Sequence, residues 1–329
     1  MKTLTNAEVT LMENLIGVSQ ASLHSILYKF LKQNYKNVVY NKDYLTAEGT
    51  IPIALVAHMD TVFKTPATEV FYDKRKNVMF SPQGAGFDDR AGIFAIIQII
   101  KAGFHPHIIF TTDEEIGGVG AYELSFQPCP FKDLRYIIEL DRRGANDCVF
   151  YECDNENFEK YVEKFGFITS YGTYTDICEL GPAWKIAGVN LSIGYRDEHS
   201  ISEILFVGQM LDTIEKVKKM LSEKDIPTFK FIPGVSYYYN GYFFDDEDEY
   251  YPYKPKMHYI CRGCGKEFDE DEMLEVKLNN GNSGYFCFDC LGTKVDWCRN
   301  CGEPFEVKPG SKDCCAECQK KVKKYDKLR

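Results

Sequence analysis

Ile51-Pro-Ile-Ala-Leu-Val-Ala57 runs straight into His58-Met-Asp60. A near-continuous apolar run of this length suits a strand buried on both faces of a mostly parallel sheet. In such sheets polar groups gather at the carboxyl ends of the strands, where ligands bind. The His-x-Asp spacing lets Asp60 accept a hydrogen bond from one imidazole nitrogen of His58 while the other faces a ligand. That contact fixes the tautomer and raises the basicity of the ring. On its own the pair marks a buried structural histidine more often than a ligand.

The same ending recurs along the chain. The apolar run His107–Thr112 ends in Asp113-Glu114-Glu115-Ile-Gly-Gly118. Tyr136-Ile-Ile-Glu-Leu140 ends in Asp141-Arg-Arg-Gly144. Val189–Tyr195 delivers Arg196-Asp-Glu-His199-Ser-Ile-Ser-Glu203. Ser81-Pro-Gln-Gly-Ala-Gly-Phe-Asp-Asp-Arg-Ala-Gly92 places Asp88 and Asp89 between a glycine turn and an expected helix, Ala91–Ala102. Hard oxygen donors and borderline imidazoles therefore collect on one rim of a sheet. Asp88 reads as a carboxylate bridging two metal ions, with the other strand ends completing the site.

The remaining pattern is that of an α/β domain. Residues 3–34 read as two helices, the first capped by Thr5 or Asn6 and the second by Ser19. Short strands are expected at Lys36–Tyr40 and Tyr44–Ala47, and a hairpin at Val70–Tyr72 and Val78–Phe80. Asn155–Phe165 reads as a helix, Ser170–Asp176 as a polar loop near the site, and Ile201–Ser222 as a closing helix.

The chain has 329 residues and a net charge of −10, which argues against nonspecific binding of nucleic acid by the protein as a whole. Its N-terminal segment is charged and amphipathic, not a secretory leader. The apolar runs fall far short of the ~20 residues that span a bilayer. A soluble, cytoplasmic protein without a membrane partner is the expectation. Residues 236–256 crowd aromatic and acidic side chains and read as a linker between a domain at 1–235 and a small tail.

Nine of the 13 cysteines lie after residue 260. Eight form Cys-x-x-Cys pairs: Cys261/Cys264, Cys287/Cys290, Cys298/Cys301 and Cys315/Cys318. Each pair can offer two thiolates to a tetrahedral zinc, and two pairs close a structural four-cysteine site. Sequential pairing gives two zinc ribbons, 257–292 and 293–329, and two structural zinc ions. A crossed pairing stays open, as does Cys314 in place of Cys315. Residues 257–329 hold 13 Lys and Arg against 13 Asp and Glu. The neutral balance and the acidic run 268–272 tilt the tail towards a protein partner. The basic end, Lys320–Lys324, keeps nucleic acid open.

Taken in order, His58-x-Asp60, Gly-x-Asp88-Asp89-x-Ala-Gly, Asp-Glu114-Glu115-x-Gly, Glu-x-Asp141 and His199-Ser-x-x-Glu203 resemble the motifs of the co-catalytic di-zinc aminopeptidases and carboxypeptidases (clan MH). The resemblance covers roughly residues 1–222. It implies a three-layer α/β/α sandwich with a mixed, mostly parallel sheet. It implies that His58 and Asp141 bind one zinc, that Glu115 and His199 bind the other, and that Asp88 bridges them. Glu114 would be the general base and Asp60 would orient His58; Co2+ or Mn2+ could replace the two catalytic Zn2+. The implied reaction is hydrolysis of an amide or peptide bond, foremost by an aminopeptidase-like exopeptidase. Many relatives insert a lid or dimerisation domain between the equivalents of Asp141 and His199, or of His58 and Asp88. Here those intervals are residues 142–198 and 59–87, too short for an extra domain, so a minimal catalytic unit is expected. Removal of N-acyl groups from amino acids, and a non-enzymatic adaptor working through the ribbons, remain the alternatives.

Overall fold

The computed structural model describes residues 2–234, 258–269, 273–291, 293–298, 301, 303–308 and 315–319. The linker expected at 236–256, Cys314 and the basic end 320–324 lie outside them. The chain divides into two compact units, Met1–Phe244 and Asp245–Arg329.

The first unit opens with α1 (Asn6–Ile16) and α2 (Gln20–Asn34). Thr5 caps α1 in a capping box with Glu8, and the Ser19 hydroxyl accepts from the Ser22 N–H at the start of α2. There follow β1 (Asn37–Tyr40), β2 (Tyr44–Glu48), β3 (Ile51–His58), β4 (Phe71–Asp73), β5 (Val78–Phe80) and α3 (Phe87–Lys101). Next come β6 (Pro106–Thr111), α4 (Val119–Ser125), β7 (Tyr136–Arg142), β8 (Asp147–Val149), α5 (Glu156–Glu163) and β9 (Ile168–Thr169). The unit ends with α6 (Ile177–Trp184), β10 (Gly188–Ser192), β11 (Tyr195–Arg196), β12 (Ile204–Phe206) and α7 (Val207–Leu221).

Eight strands form one sheet in the order β1-β2-β6-β3-β7-β10-β8-β9. Its centre, β6-β3-β7-β10, is parallel, while β1-β2, β2-β6 and β10-β8 are antiparallel. Alternation along β3 fixes the layers. Ile53, Leu55 and Ala57 face a core shared with Leu23, Phe94 and Met210 from α2, α3 and α7. Ala54 and Val56 face the other way, towards Ala121 and Leu124 of α4 and Ile177 and Leu180 of α6. Both faces are therefore covered, which makes the three-layer sandwich and explains the unbroken apolar run. The segment between Asp141 and His199 contributes β8, β9 and β10 to this same sheet, so it builds no lid domain.

Three boundaries differ from expectation. The last helix begins at Val207, not Ile201, because Ile204–Phe206 pair antiparallel with Val78–Phe80 and sheet hydrogen bonds override the helical spacing. The strand expected at Val189–Tyr195 breaks at Gly194, whose φ of 98° takes the chain out of the sheet. Helix α3 begins earlier than Ala91, but Asp88 and Asp89 within its first turn are non-helical. Among the described residues no helix is long and apolar enough to cross a membrane.

Among the described residues the second unit holds three antiparallel hairpins: β13 (His258–Ile260) with β14 (Glu267–Asp269), β15 (Met273–Lys277) with β16 (Ser283–Cys287), and β17 (Val295–Trp297) with β18 (Pro304–Glu306). Cys261 and Cys264 sit in the β13–β14 turn, and Cys298 and Cys301 in the β17–β18 turn.

Candidate metal centre

Three strand ends, one helix start and the loop between β11 and β12 converge on the site. His58 closes β3 and is fully buried. Its Nδ1 lies 3.2 Å from Asp60 Oδ1, and its Nε2 lies 3.0 Å from Asp88 Oδ1 and 3.5 Å from Asp141 Oδ1. His199, with a half-exposed side chain, places Nε2 3.2 Å from Asp88 Oδ2 and 2.9 Å from Glu115 Oε2. The two oxygens of Asp88 thus face two different imidazoles. Two donor groups result, His58/Asp88/Asp141 and Asp88/Glu115/His199, each with its donor atoms within 4.8 Å of one another.

The loop after β6 is held from below. Asp60 Oδ1 accepts from the Glu114 N–H and Asp60 Oδ2 from the Glu115 N–H, each at 3.0 Å. Asp60 thus supports His58 and the Glu114-Glu115 turn at once. Asp113 (φ 58°) and His199 (φ 61°) occupy the left-handed region. For residues with a Cβ this costs on the order of 1–2 kcal/mol, and such strain clusters at functional sites.

Residues that carried no assigned role in the sequence complete the surroundings. Asp141 Oδ1 accepts from the Tyr195 hydroxyl and Oδ2 from the Thr175 hydroxyl, both at 3.0 Å. Asn190 grips the Asp141 backbone on both sides: its Oδ1 accepts from the Asp141 N–H and its Nδ2 donates to the Asp141 carbonyl. Glu139 and Asp176 are wholly buried, and Asp176 accepts from the Thr111 hydroxyl. Glu203 stood within the quoted His199 motif, but its contacts join segments more than a hundred residues apart and leave no local pattern. Arg142 donates to the Ser170 hydroxyl and the Tyr171 carbonyl, which ties the polar loop 170–176 to the strand bearing Asp141.

The electrostatics are those of crowded acids. Burial raises the Glu114 carboxyl to about 9, against the pull of His58 and with the help of Asp141, Asp176 and Asp88. Burial and the neighbouring Asp88 raise Glu115 to about 8. Burial and Asp88 raise Asp141 to about 6. Asp88 goes the other way: burial is outweighed by its contacts with His199 and His58, which lower its pKa. The Asp88 contact leads in raising His199 to about 9. Burial disfavours charge on His58, yet Asp141, Asp60 and Asp88 together raise it.

So many acids in so small a space repel one another unless cations lie between them. Glu115 Oε1 is buried without a hydrogen-bond partner among the described residues. Three carboxylates and two imidazoles, one carboxylate shared, suit a pair of divalent ions of the zinc type. The donor set fits.

The two cysteine clusters are sequential. Cys261, Cys264, Cys287 and Cys290 form one, and Cys298, Cys301, Cys315 and Cys318 the other. Burial works against the Cys261 thiolate, but N–H groups of Cys287, Cys264 and Gly263 outweigh it and lower the thiol to about 6. That favours the thiolate a metal needs.

No protein-family model matches the sequence, and no curated protein sequence matches it. Solved structures do match. Aminopeptidase PepT from Bacillus cereus superimposes with a TM-score of 0.53 at 15% identity, over 64% of this chain and 96% of that one. A tripeptidase from Staphylococcus aureus gives 0.52 at 13% identity, over 64% and 95%. A TET aminopeptidase from a marine sediment archaeon of the Thaumarchaeota gives 0.51 at 14% identity, over 68% and 98%. The chain shares the fold of these aminopeptidases. It is the fold that the sequence motifs imply.

Proposed function

We propose that the first unit is a metal-dependent hydrolase of amide bonds, an aminopeptidase-like exopeptidase. The observation that carries this reading is Asp88, whose two carboxylate oxygens each face one imidazole, 3.0 Å from His58 and 3.2 Å from His199. The names of the matching structures, aminopeptidase and tripeptidase, support it.

In this reading His58 and Asp141 would hold one metal, Glu115 and His199 the other, and Asp88 would serve both. When bound, two zinc ions lower the pKa of a water and polarise the scissile carbonyl. Co2+ and Mn2+ fit the same donors. The chain supplies the rest. Asp60 holds the His58 ring through Nδ1 and leaves Nε2 to face the metal. Glu114 is the base: its carboxylate takes a proton from the attacking water and returns it to the leaving amine. A base that also served as ligand would lose its free oxygen, and the Glu114-Glu115 pair divides the two tasks. Positive charge in the site draws the Glu114 pKa down from its raised value, so the base is ionised when the site is loaded. Thr175 and Tyr195 hold the Asp141 carboxylate in place. The two four-cysteine clusters would be structural zinc sites of a tail that binds a protein or nucleic-acid partner, and the whole works in the cytoplasm.

The test is a library of free peptides and N-acyl amino acids, incubated with zinc- or cobalt-loaded protein and followed by mass spectrometry. Loss of single residues from the amino end is expected. Glu114→Gln should lower the rate by about 10²–10⁴-fold with metal content unchanged. Release of acyl groups alone would make the protein a deacylase. No turnover with both site metals in place would refute the enzyme reading and move the function to the ribbons.

A further inference from the structure

Glu203 belongs to the His199-Ser-x-x-Glu203 motif, yet the proposed chemistry gives it no task. It is 1% exposed and sits just before β12. Its Oε2 accepts from the Phe87 N–H and its Oε1 from the Asp88 N–H, each at 3.0 Å. These amides open α3, where no residue below them in the chain accepts their hydrogen bonds. The residue at the cap position is Gly86, left-handed at φ 63° and without a side chain to serve them. Glu203 supplies the missing cap from a distant part of the chain.

We infer that Glu203 is a positioning residue for the bridging carboxylate. It ties the backbone of Asp88 to the segment that carries His199 four residues upstream. The approach of Asp88 Oδ2 to His199 Nε2 therefore depends on a strut that touches neither the metals nor the substrate. Helix sequence alone cannot aim Asp88, because Asp88 (φ −80°, ψ 102°) and Asp89 (φ −115°, ψ 43°) leave the helical region. Two adjacent N–H groups bound to one carboxylate fix the direction of the peptide before Asp88, and with it the plane from which the side chain departs. The inference rests on the two-metal reading of the site.

The test is binding of Zn2+ and Co2+ to the full chain, measured by titration calorimetry against a competing chelator, with the Co2+ absorption and magnetic-coupling spectra as a second readout. Glu203→Gln exchanges one acceptor oxygen for an NH2 group and sets it against a backbone N–H. Expected is about a 10- to 100-fold loss of affinity for the site pair, the range seen when groups supporting metal ligands are removed. The spectroscopic coupling of two Co2+ ions should weaken. Thr5→Ala, which removes the exposed cap of α1, should change neither. An affinity and spectrum in Glu203→Gln equal to those of wild type or of Thr5→Ala would overturn the inference and leave the function reading standing. Wild-type protein that binds only the two ribbon metals would overturn both. If Glu203→Gln does not fold, Glu203→Asp keeps the charge and withdraws the carboxylate by one methylene; unchanged affinity there would equally overturn the strut.

Discussion

On the two-metal reading, the metal-free first unit should prefer acid. In the metal-free site the Glu114 carboxyl stands at about 9 and Glu115 at about 8, against about 4.3 for an unperturbed glutamate. The folded state therefore binds more protons than the unfolded chain across neutral pH. Groups with raised pKa lose their stabilising contribution as pH rises towards the folded value. His199, raised to about 9, acts in the same direction, though its half-exposed ring is screened by solvent and is left out of the count. Asp88, whose pKa is lowered, is ionised in both states over this range and adds no slope. Glu114 and Glu115 alone contribute one to two excess protons, a fall of about 1.4 kcal/mol per pH unit for each, or roughly 2–4 kcal/mol between pH 6.5 and 8, and the buried Asp89 and Glu139, also raised, act in the same direction. For a unit of this size that is roughly 5–15 °C in Tm. Chelation would also strip any metal from the two four-cysteine clusters, so the readout must come from the first unit alone. Trp184, whose indole N–H donates to the Gln127 carbonyl, lies in that unit, and a Trp297→Phe background leaves it as the sole tryptophan. The melting temperature of metal-free protein should fall from pH 6.5 to 8. With zinc restored the slope should flatten or reverse, because metal binding releases these protons. A metal-free Tm that stays level or rises would refute the account of the acid cluster.

Two further outcomes follow from the geometry. Cys264 and Cys287 belong to one cluster, so Cys264→Ser combined with Cys287→Ser should cost one zinc by elemental analysis; loss of two would mean the crossed pairing. Gly92 lies where α3 crosses β7, and a Cβ there would stand 2.3 Å from the Leu140 carbonyl oxygen and 2.4 Å from Asp89 Oδ1. Gly92→Ala should lower stability by about 1–3 kcal/mol in a denaturant titration and disturb the Asp88-Asp89 turn; an unchanged midpoint would show that the helix can back away.

The fold was legible because its central strands announce themselves. Ile53–Ala57, Ile108–Thr111 and Tyr136–Leu140 are mostly apolar and buried on both faces, as a covered parallel sheet requires. The candidates His58, Glu115 and Asp141 were legible for a related reason: each follows an apolar run where a strand must end. Less legible were α4 and α6, short helices of 7 and 8 residues, the latter with Pro182 inside it. Too few turns repeat for a helical period to emerge. The residues 201–206 carry a helical spacing and still form a turn and a strand, since the partner that claims them, β5, lies more than a hundred residues away.

By itself the sequence determined the chemical inventory and its order: which strands are buried, which acids and imidazoles stand at their ends, and which cysteines come in pairs. Those are properties of neighbours in the chain, fixed by solvation and by short-range backbone geometry. The tertiary structure alone decided which oxygen of Asp88 meets which histidine, that Asp60 supports His58 and the Glu114-Glu115 turn together, and that Glu203 caps a helix begun 116 residues earlier. It also decided the sequential grouping of the cysteines. These are distances between atoms far apart in the chain, set only when the apolar faces of the sheet are buried and the strand ends are brought to one rim.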